Sequence, residues 1–299
     1  MNDCKESYFS YLKTKKKVSD NTLSSYKNDI LRFEEFLMQS SVTLIKATKT
    51  NVLDFVMSMQ EKGQSSSTLM RKLASIRSFY GFMLKEKMIE TDPTENIKNF
   101  KSEGKIPEIL TGPEVEILLS QPKENTLLGH RDKALLELLY ATGMRVTELI
   151  NLNIEDVNID VGYISCKGKG KTRVIPIYAD AAKALKNYVL KARPLMTTVD
   201  DGTLFVNRNG TRLSRQGFWK IIKGYKESAK ITKEITPHTL RHSFAVHLLE
   251  NGADIKSIQE MLGHSNLSSM QVYNRIVKQR ITNVYYNAHP KAQKEKINN

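Results

Sequence analysis

The sequence predicts a mainly α-helical protein with one small antiparallel β-sheet: a helical N-terminal domain followed by an α+β domain. Three observations carry this. Apolar residues recur at three- and four-residue steps through most of the 299 positions. One stretch, VGYISCKGKGKTRVIPI (161–177), instead holds β-formers on either side of a glycine-rich turn. Between them lies DPTENIKNFKSEGKIPEILTG (92–112), rich in charge and broken by Pro93, Gly104, Pro107 and Gly112, which reads as an interdomain connection.

Residues 1–100 read as helical throughout. Ser19 to Asn21 offer caps for a helix marked by Leu23, Tyr26, Ile30, Phe33 and Leu37. Thr50 is expected to cap a shorter helix carrying Val52, Phe55, Val56 and Met59, with Gly63 as its stop. Gln64 to Ser67 then form a loop and cap, and Leu69, Leu73, Ile76, Tyr80 and Met83 mark one face of a third helix. That helix also carries Arg71, Lys72, Arg77 and Lys85, either as a solvated face or as contacts to a phosphate backbone.

After a 101–107 linker, the second domain is expected over 108–290, with 291–299 as a disordered tail. Thr111, Pro113 and Glu114 match a capping box with proline at the first helical position. A helix through Ala134–Tyr140 breaks at Gly143, and Arg145 stands where the next begins. In the hairpin, Tyr163, Val174, Ile175 and Ile177 supply the strands, and Gly168 and Gly170 the turn. Helical periodicity returns over Ala181–Leu190, an extended piece lies at Leu204–Val206, and a turn at Asn209-Gly210 leads back to helices.

Composition narrows the function. Lys+Arg of 46 against Asp+Glu of 32 leaves a net charge of +14, spread along the chain, which suits a broad polyanion-binding surface. Cys4 and Cys166 supply neither a disulfide framework nor a zinc set, so a reducing cytoplasm is expected. The charged N-terminus is unlike a signal peptide, and no apolar run is long enough to span a bilayer, so no membrane partner is expected.

Several motifs fall away. Gly170-Lys171-Thr172 ends like a P-loop, but Ser165 stands where the first glycine belongs and a strand follows. His238 and His242 have the spacing of two zinc ligands. Thr239, however, replaces the glutamate a metalloprotease needs, and Arg241 would set a cation beside the metal. No G-x-S-x-G elbow occurs.

What remains is the stretch Thr236 to Tyr273, TPHTLRHSFAVHLLENGADIKSIQEMLGHSNLSSMQVY. Thr236-Pro237 opens a helix, so His238 and Arg241, three apart, share a side near its anion-favouring start. Leu240, Phe244, Leu248 and Leu249 are expected to face the core. Gly252 ends that helix; Ile255, Ile258 and Leu262 mark another, stopped by Gly263, which puts His264 on a turn. Met270, Val272 and Ile276 are expected to bury one side while Tyr273 points elsewhere. Two arginines for charge, imidazoles for protons and a phenol as nucleophile make a phosphoryl-transfer site. No carboxylate set for Mg²⁺ accompanies them, so Arg, His and Lys must neutralise the charge.

ATGMRVTEL with Arg145, TPHTLRH with His238 and Arg241, LGH with His264, and Tyr273 nine residues on resemble the tyrosine recombinase (integrase) family, most closely its Xer-type members. The likeness covers essentially the whole chain, with NTLSSYKNDILRF resembling the helical core-binding (SAM-like) domain. The resemblance implies that Arg145 and Arg241 clamp a scissile phosphate and that His238 and His264 complete the pocket. Tyr273 would attack phosphorus to give a 3′-phosphotyrosyl link, with neither metal nor ATP. Glu148 would orient Arg145 from behind. Lys169 would protonate the leaving 5′-oxygen when the hairpin is matched from its incoming strand; matching backwards from Pro176 leaves Lys167 or Lys171.

The family further implies a double-stranded DNA recombination site and a homo- or hetero-tetramer on DNA with a related recombinase, with a DNA translocase as a further partner. The tail from about Arg280 to Ala292 would dock on a neighbouring subunit. The absence of an added arm-binding domain favours resolution of chromosome dimers over integration of a phage or mobile element. A relative that binds DNA without cleaving it is the alternative from another class.

Overall fold

The structure, a computed structural model, describes residues 3–98, 108–168 and 172–263, together with Tyr273 and Ile276. Lys169, Lys171, His264 and the tail from Arg280 lie outside the described residues. The chain divides into two compact units, Met1–Lys105 and Ile106–Asn299.

The first unit contains α1 (Asp3–Thr14), α2 (Asp20–Met38), α3 (Lys49–Glu61) and α4 (Ser66–Lys85). Side-chain oxygens place the starts: Ser19 accepts from the Thr22 N–H, and Ser65 from that of Thr68. The cap of α3 is Thr48, not Thr50, which lies inside the helix. The reason is reciprocity: Thr48 Oγ1 accepts from the Asn51 N–H while Asn51 Oδ1 accepts from the Thr48 N–H at 2.9 Å.

The core of this unit is aromatic. Tyr8 and Phe79 meet edge to face at 5.2 Å, the Phe33 and Phe55 rings pack tilted at 5.0 Å, and buried Tyr80 donates to the Leu44 carbonyl at 2.9 Å. The cations of α4 have internal partners. Arg71 forks onto buried Asp29, which Ser75 also bonds. Lys72 is buried beside the Met59 sulfur, Arg77 donates to the Ile97 carbonyl, and Lys85 lies over the Tyr11 ring. They brace the helix instead of forming a uniformly solvated face.

The second unit opens with α5 (Gly112–Leu119), whose Thr111–Glu114 capping box is formed. Around α6 (Leu127–Thr142), with Ala134, Leu135, Leu136, Leu138 and Leu139 fully buried, the main core assembles. Next come α7 (Val146–Ile150) and a three-stranded antiparallel sheet of β1 (Val157–Asn158), β2 (Tyr163–Lys167) and β3 (Thr172–Pro176). The hairpin pairs Ile164 with Ile175 and Cys166 with Arg173; β1 adds a short edge the periodicity does not show.

Then follow α8 (Ala179–Asn187), a π-helical stretch Tyr188–Ala192, α9 (Arg193–Met196) and α10 (Arg215–Ser228). The extended piece near Leu204 forms isolated bridges, Asn153 with Thr203 and Val206 with Arg212, around the Gly210 turn. Last come α11 (Pro237–Glu250) and α12 (Ile255–Leu262). Phe244, Ala245, Val246, Ile258 and Leu262 form a second cluster with Tyr273 and Ile276.

Candidate active site

Arg145 reaches the site because α6 must stop abruptly. Gly143 takes φ of +56°, and a Cβ there would meet Phe244 Cδ1 at 2.3 Å, so both the backbone and the packing require glycine. The chain re-enters a helix with Arg145 as its cap residue. The Arg145 N–H donates to Glu148 Oε2 at 2.8 Å and its Nη1 to Oε1 at 3.1 Å. Burial alone would raise the Glu148 carboxyl. The Arg173 guanidinium, the Arg145 N–H and the charge of Arg145 outweigh it and hold the group below the usual carboxylate range. The Arg145 side chain stays 40% exposed, open to a ligand.

Arg241, one turn into α11, is buried. Its Nη1 donates to the Gly143 carbonyl at 2.6 Å and its Nη2 to the Leu262 carbonyl at 2.7 Å. These are the carbonyls that helix ends leave without partners, where the dipole also favours a cation. Burial, then the neighbouring Arg145, pushes Arg241 down to about 10, so it remains charged at neutral pH. The end of α12 receives two more arginines. Arg173 Nε donates to the Met261 carbonyl at 2.8 Å, and Arg145 Nη2 makes a long contact of 3.5 Å to that of Gly263.

Tyr273 does not point away from the buried side. It is 2% exposed and packs with Ile276, three residues on and therefore on the same side of a helical turn. Its Oη lies 3.1 Å from His242 Nδ1. Burial raises the phenol above its ordinary value while the charges of Arg241 and Arg145 oppose the rise, so it is protonated at rest. His238 lies at the open edge, its ring 6.2 Å from that of His242. Partial desolvation, then Arg241, Arg145 and Arg215, lower it and keep the imidazole neutral at pH 7.

Arg145, Glu148, His238, Arg241 and Tyr273 are thus brought together from α7, α11 and the chain beyond α12. Lys167 is engaged elsewhere: its Nζ bonds Asp156 at 2.8 Å and Glu155 at 3.2 Å, which raises its pKa. Two neighbours were not anticipated. His242 was legible only as half of a metal pair, although it directly follows Arg241. Arg173 lay in a stretch read for its β-formers. Among the described residues no cluster of three or more His, Cys, Asp or Glu could hold a metal. A cleft of about 680 Å³ lined by Arg131, Asp132, Arg208 and Lys220 includes none of these groups. Guanidiniums beside a phenol and the neutral imidazole of His238 suit nucleophilic attack on a phosphodiester.

Residues 108–280 match the phage integrase family, and residues 6–87 match the phage integrase N-terminal SAM-like domain. Tyrosine recombinase XerD of Oceanobacillus iheyensis is 44% identical over 292 residues, 96% of this chain and 98% of the relative. XerD of Listeria innocua is 40% identical over 298 residues, covering 98% and 100%. Among solved structures, XerH site-specific recombinase bound to palindromic difH substrate, a post-cleavage complex, superposes with a TM-score of 0.77 at 25% identity, covering 88% of this chain and 79% of that one.

Proposed function

The chain belongs to the phage integrase family and is a site-specific tyrosine recombinase of Xer type, and from that premise we propose that it resolves chromosome dimers by strand exchange at a chromosomal DNA site. In this reading Arg145 and Arg241 hold the scissile phosphate, with His238 and His264 completing the pocket. The neutral imidazole of His238 takes the phenol proton as the Tyr273 oxygen bonds to phosphorus, and the bond to the 5′-oxygen breaks. That oxygen leaves with a proton from Lys169. The 3′-phosphotyrosyl link conserves the ester, so a 5′-hydroxyl of another strand reseals it without ATP.

The observation that carries the chemistry is the seat of Tyr273. Its phenol lies against His242 and under the field of Arg241, whose fork is already bound to the ends of α6 and α12. A rigid bidentate cation matches phosphate oxygens and does not deprotonate in this range. The Xer role draws support from 40–44% identity to XerD relatives over nearly their whole lengths. The net charge of +14 supplies a salt-dependent hold on the duplex. The working unit is a tetramer on two duplexes, homomeric or shared with a related recombinase and served by a DNA translocase, in the cytoplasm at the nucleoid. No helix of the described residues is long and apolar enough to cross a membrane.

A nicked suicide duplex carrying a candidate core site tests this. Wild type should accumulate an SDS-stable protein–DNA adduct in EDTA, and Tyr273→Phe should not. An adduct persisting in the mutant would sink the nucleophile, and a strict metal requirement would sink the mechanism. A gel shift with no adduct would mark a protein that only binds DNA.

A further inference from the structure

Arg173 has no part in the chemistry assigned above, yet it sits at the junction of the elements that supply it. Nη1 donates to Glu148 Oε1 at 3.2 Å, Nη2 to Glu148 Oε2 at 2.7 Å, and Nε to the Met261 carbonyl at 2.8 Å. We propose that Arg173 is a positioning residue that locks Glu148 and the end of α12 into one frame and so sets Arg145 and Arg241 for the phosphate. The inference rests on the assignment of those two arginines to the phosphate.

Three features support it. First, Glu148 is shared: the same two oxygens that take Arg173 also take the Arg145 N–H and Nη1. Without Arg173 the carboxylate would keep the Arg145 N–H on Oε2, but Oε1 would be held only by a side chain that is 40% exposed. The second fork fixes both oxygens in one plane, inside a pair only 14% and 12% exposed.

Second, the carbonyls of Met261, Leu262 and Gly263 are consecutive acceptors at one helix end, and they receive Arg173, Arg241 and Arg145 in that order. The Arg173 bond, at 2.8 Å, anchors the turn on which the other two depend. Third, the guanidinium is fitted to its seat. A Cβ at residue 263 would lie 2.9 Å from Arg173 Nη1 and 3.0 Å from Cζ, so the bare glycine admits the plane. All three nitrogens of Arg173 engage Glu148 and Met261, and it is through these neighbours that it acts on the site. Lysine, a point charge without the fork, cannot make these contacts together.

The test uses full-length Arg173→Met and Arg173→Lys on the nicked duplex that gives an adduct with wild type. The scissile group is either the native phosphate or a methylphosphonate, which lacks the negative non-bridging oxygen. Misaligned arginines fail chiefly at neutralising that charge, so adduct formation by Arg173→Met should fall about 100-fold on the phosphate but less than about tenfold on the methylphosphonate. Gel-shift affinity should change by no more than about threefold, the signature of a loss confined to the transition state. Arg173→Lys should recover less than about a tenth of the wild-type rate on the phosphate. Equal losses on both substrates, a wild-type rate in Arg173→Met, or full rescue by lysine would overturn the proposal. So would a thermal melt showing both variants unfolded at the assay temperature, which would make Arg173 a folding element. Failure of wild type itself to form the adduct strikes the site assignment instead, and is seen before any variant is made.

Discussion

Replacing Gly143 by alanine tests how α6 delivers the arginine pair. The backbone at this residue has φ of +56°, a region that costs an L side chain about 1–2 kcal/mol. The added methyl also has nowhere to go, since Cβ would fall 2.3 Å from Phe244 Cδ1 and 2.8 Å from Leu262 Cδ2. Forcing an extra carbon into such packing costs about 1–3 kcal/mol more. The sum is about 2–5 kcal/mol, and a unit of this size loses about 2–4 °C per kcal/mol, so the melting point should drop by roughly 4–20 °C.

Gly252→Ala is the control. It lies in the same unit with φ of +87° and nothing within 4 Å of its Cβ, so only the backbone penalty applies, about 1–2 kcal/mol. Calorimetry on the full-length protein measures both. The site should suffer as well, because the Gly143 carbonyl takes Arg241 Nη1 at 2.6 Å. Any shift that relieves the clash moves that acceptor, and adduct formation below the melting point should fall about 100-fold, as for loss of one charge-stabilising donor. Equal melting points for the two variants would refute the clash, and a normal adduct rate in Gly143→Ala would refute the link to Arg241.

Two further outcomes follow from the same geometry. Glu148 is depressed in the fold, so its contribution is complete above the ordinary glutamate pKa of about 4.3 and is lost as pH falls through the lower folded value. The melting-point gap between wild type and Glu148→Gln should therefore be widest near neutrality and close in acid; a gap independent of pH would contradict the pairing. At His242, leucine removes one of the partners of a buried phenol that also bonds Arg241, and should cost about 0.5–1.5 kcal/mol. Asparagine sets a polar atom near Nδ1 and should keep most of the adduct rate on the nicked duplex, so equal rates for the two variants would show that the bond to Tyr273 does not position the nucleophile.

How much was legible in the chain depends on the range of each interaction. Ser19, Ser65, Thr111 and Thr236 cap helices through bonds to residues three positions on, and Gly143 and Gly263 end helices through their own backbone angles. Such rules act within a turn, so helices, hairpin and the ends that carry Arg145, His238 and Arg241 follow from the residues themselves. Thr50 misled because two threonines compete locally, and the reciprocal bond with Asn51 chose Thr48. The sequence by itself determined which groups this protein possesses and where its helices start and stop. Only the tertiary structure decided their partners: Arg173 with Glu148 and Met261, Arg241 with Gly143, His242 with buried Tyr273, and Arg71 with Asp29. Those pairs are separated by 25 to 98 residues, and an arginine in a strand reads alike whether it faces water or a carboxylate. Packing alone removes the water, and only then does a charge acquire one partner and one geometry.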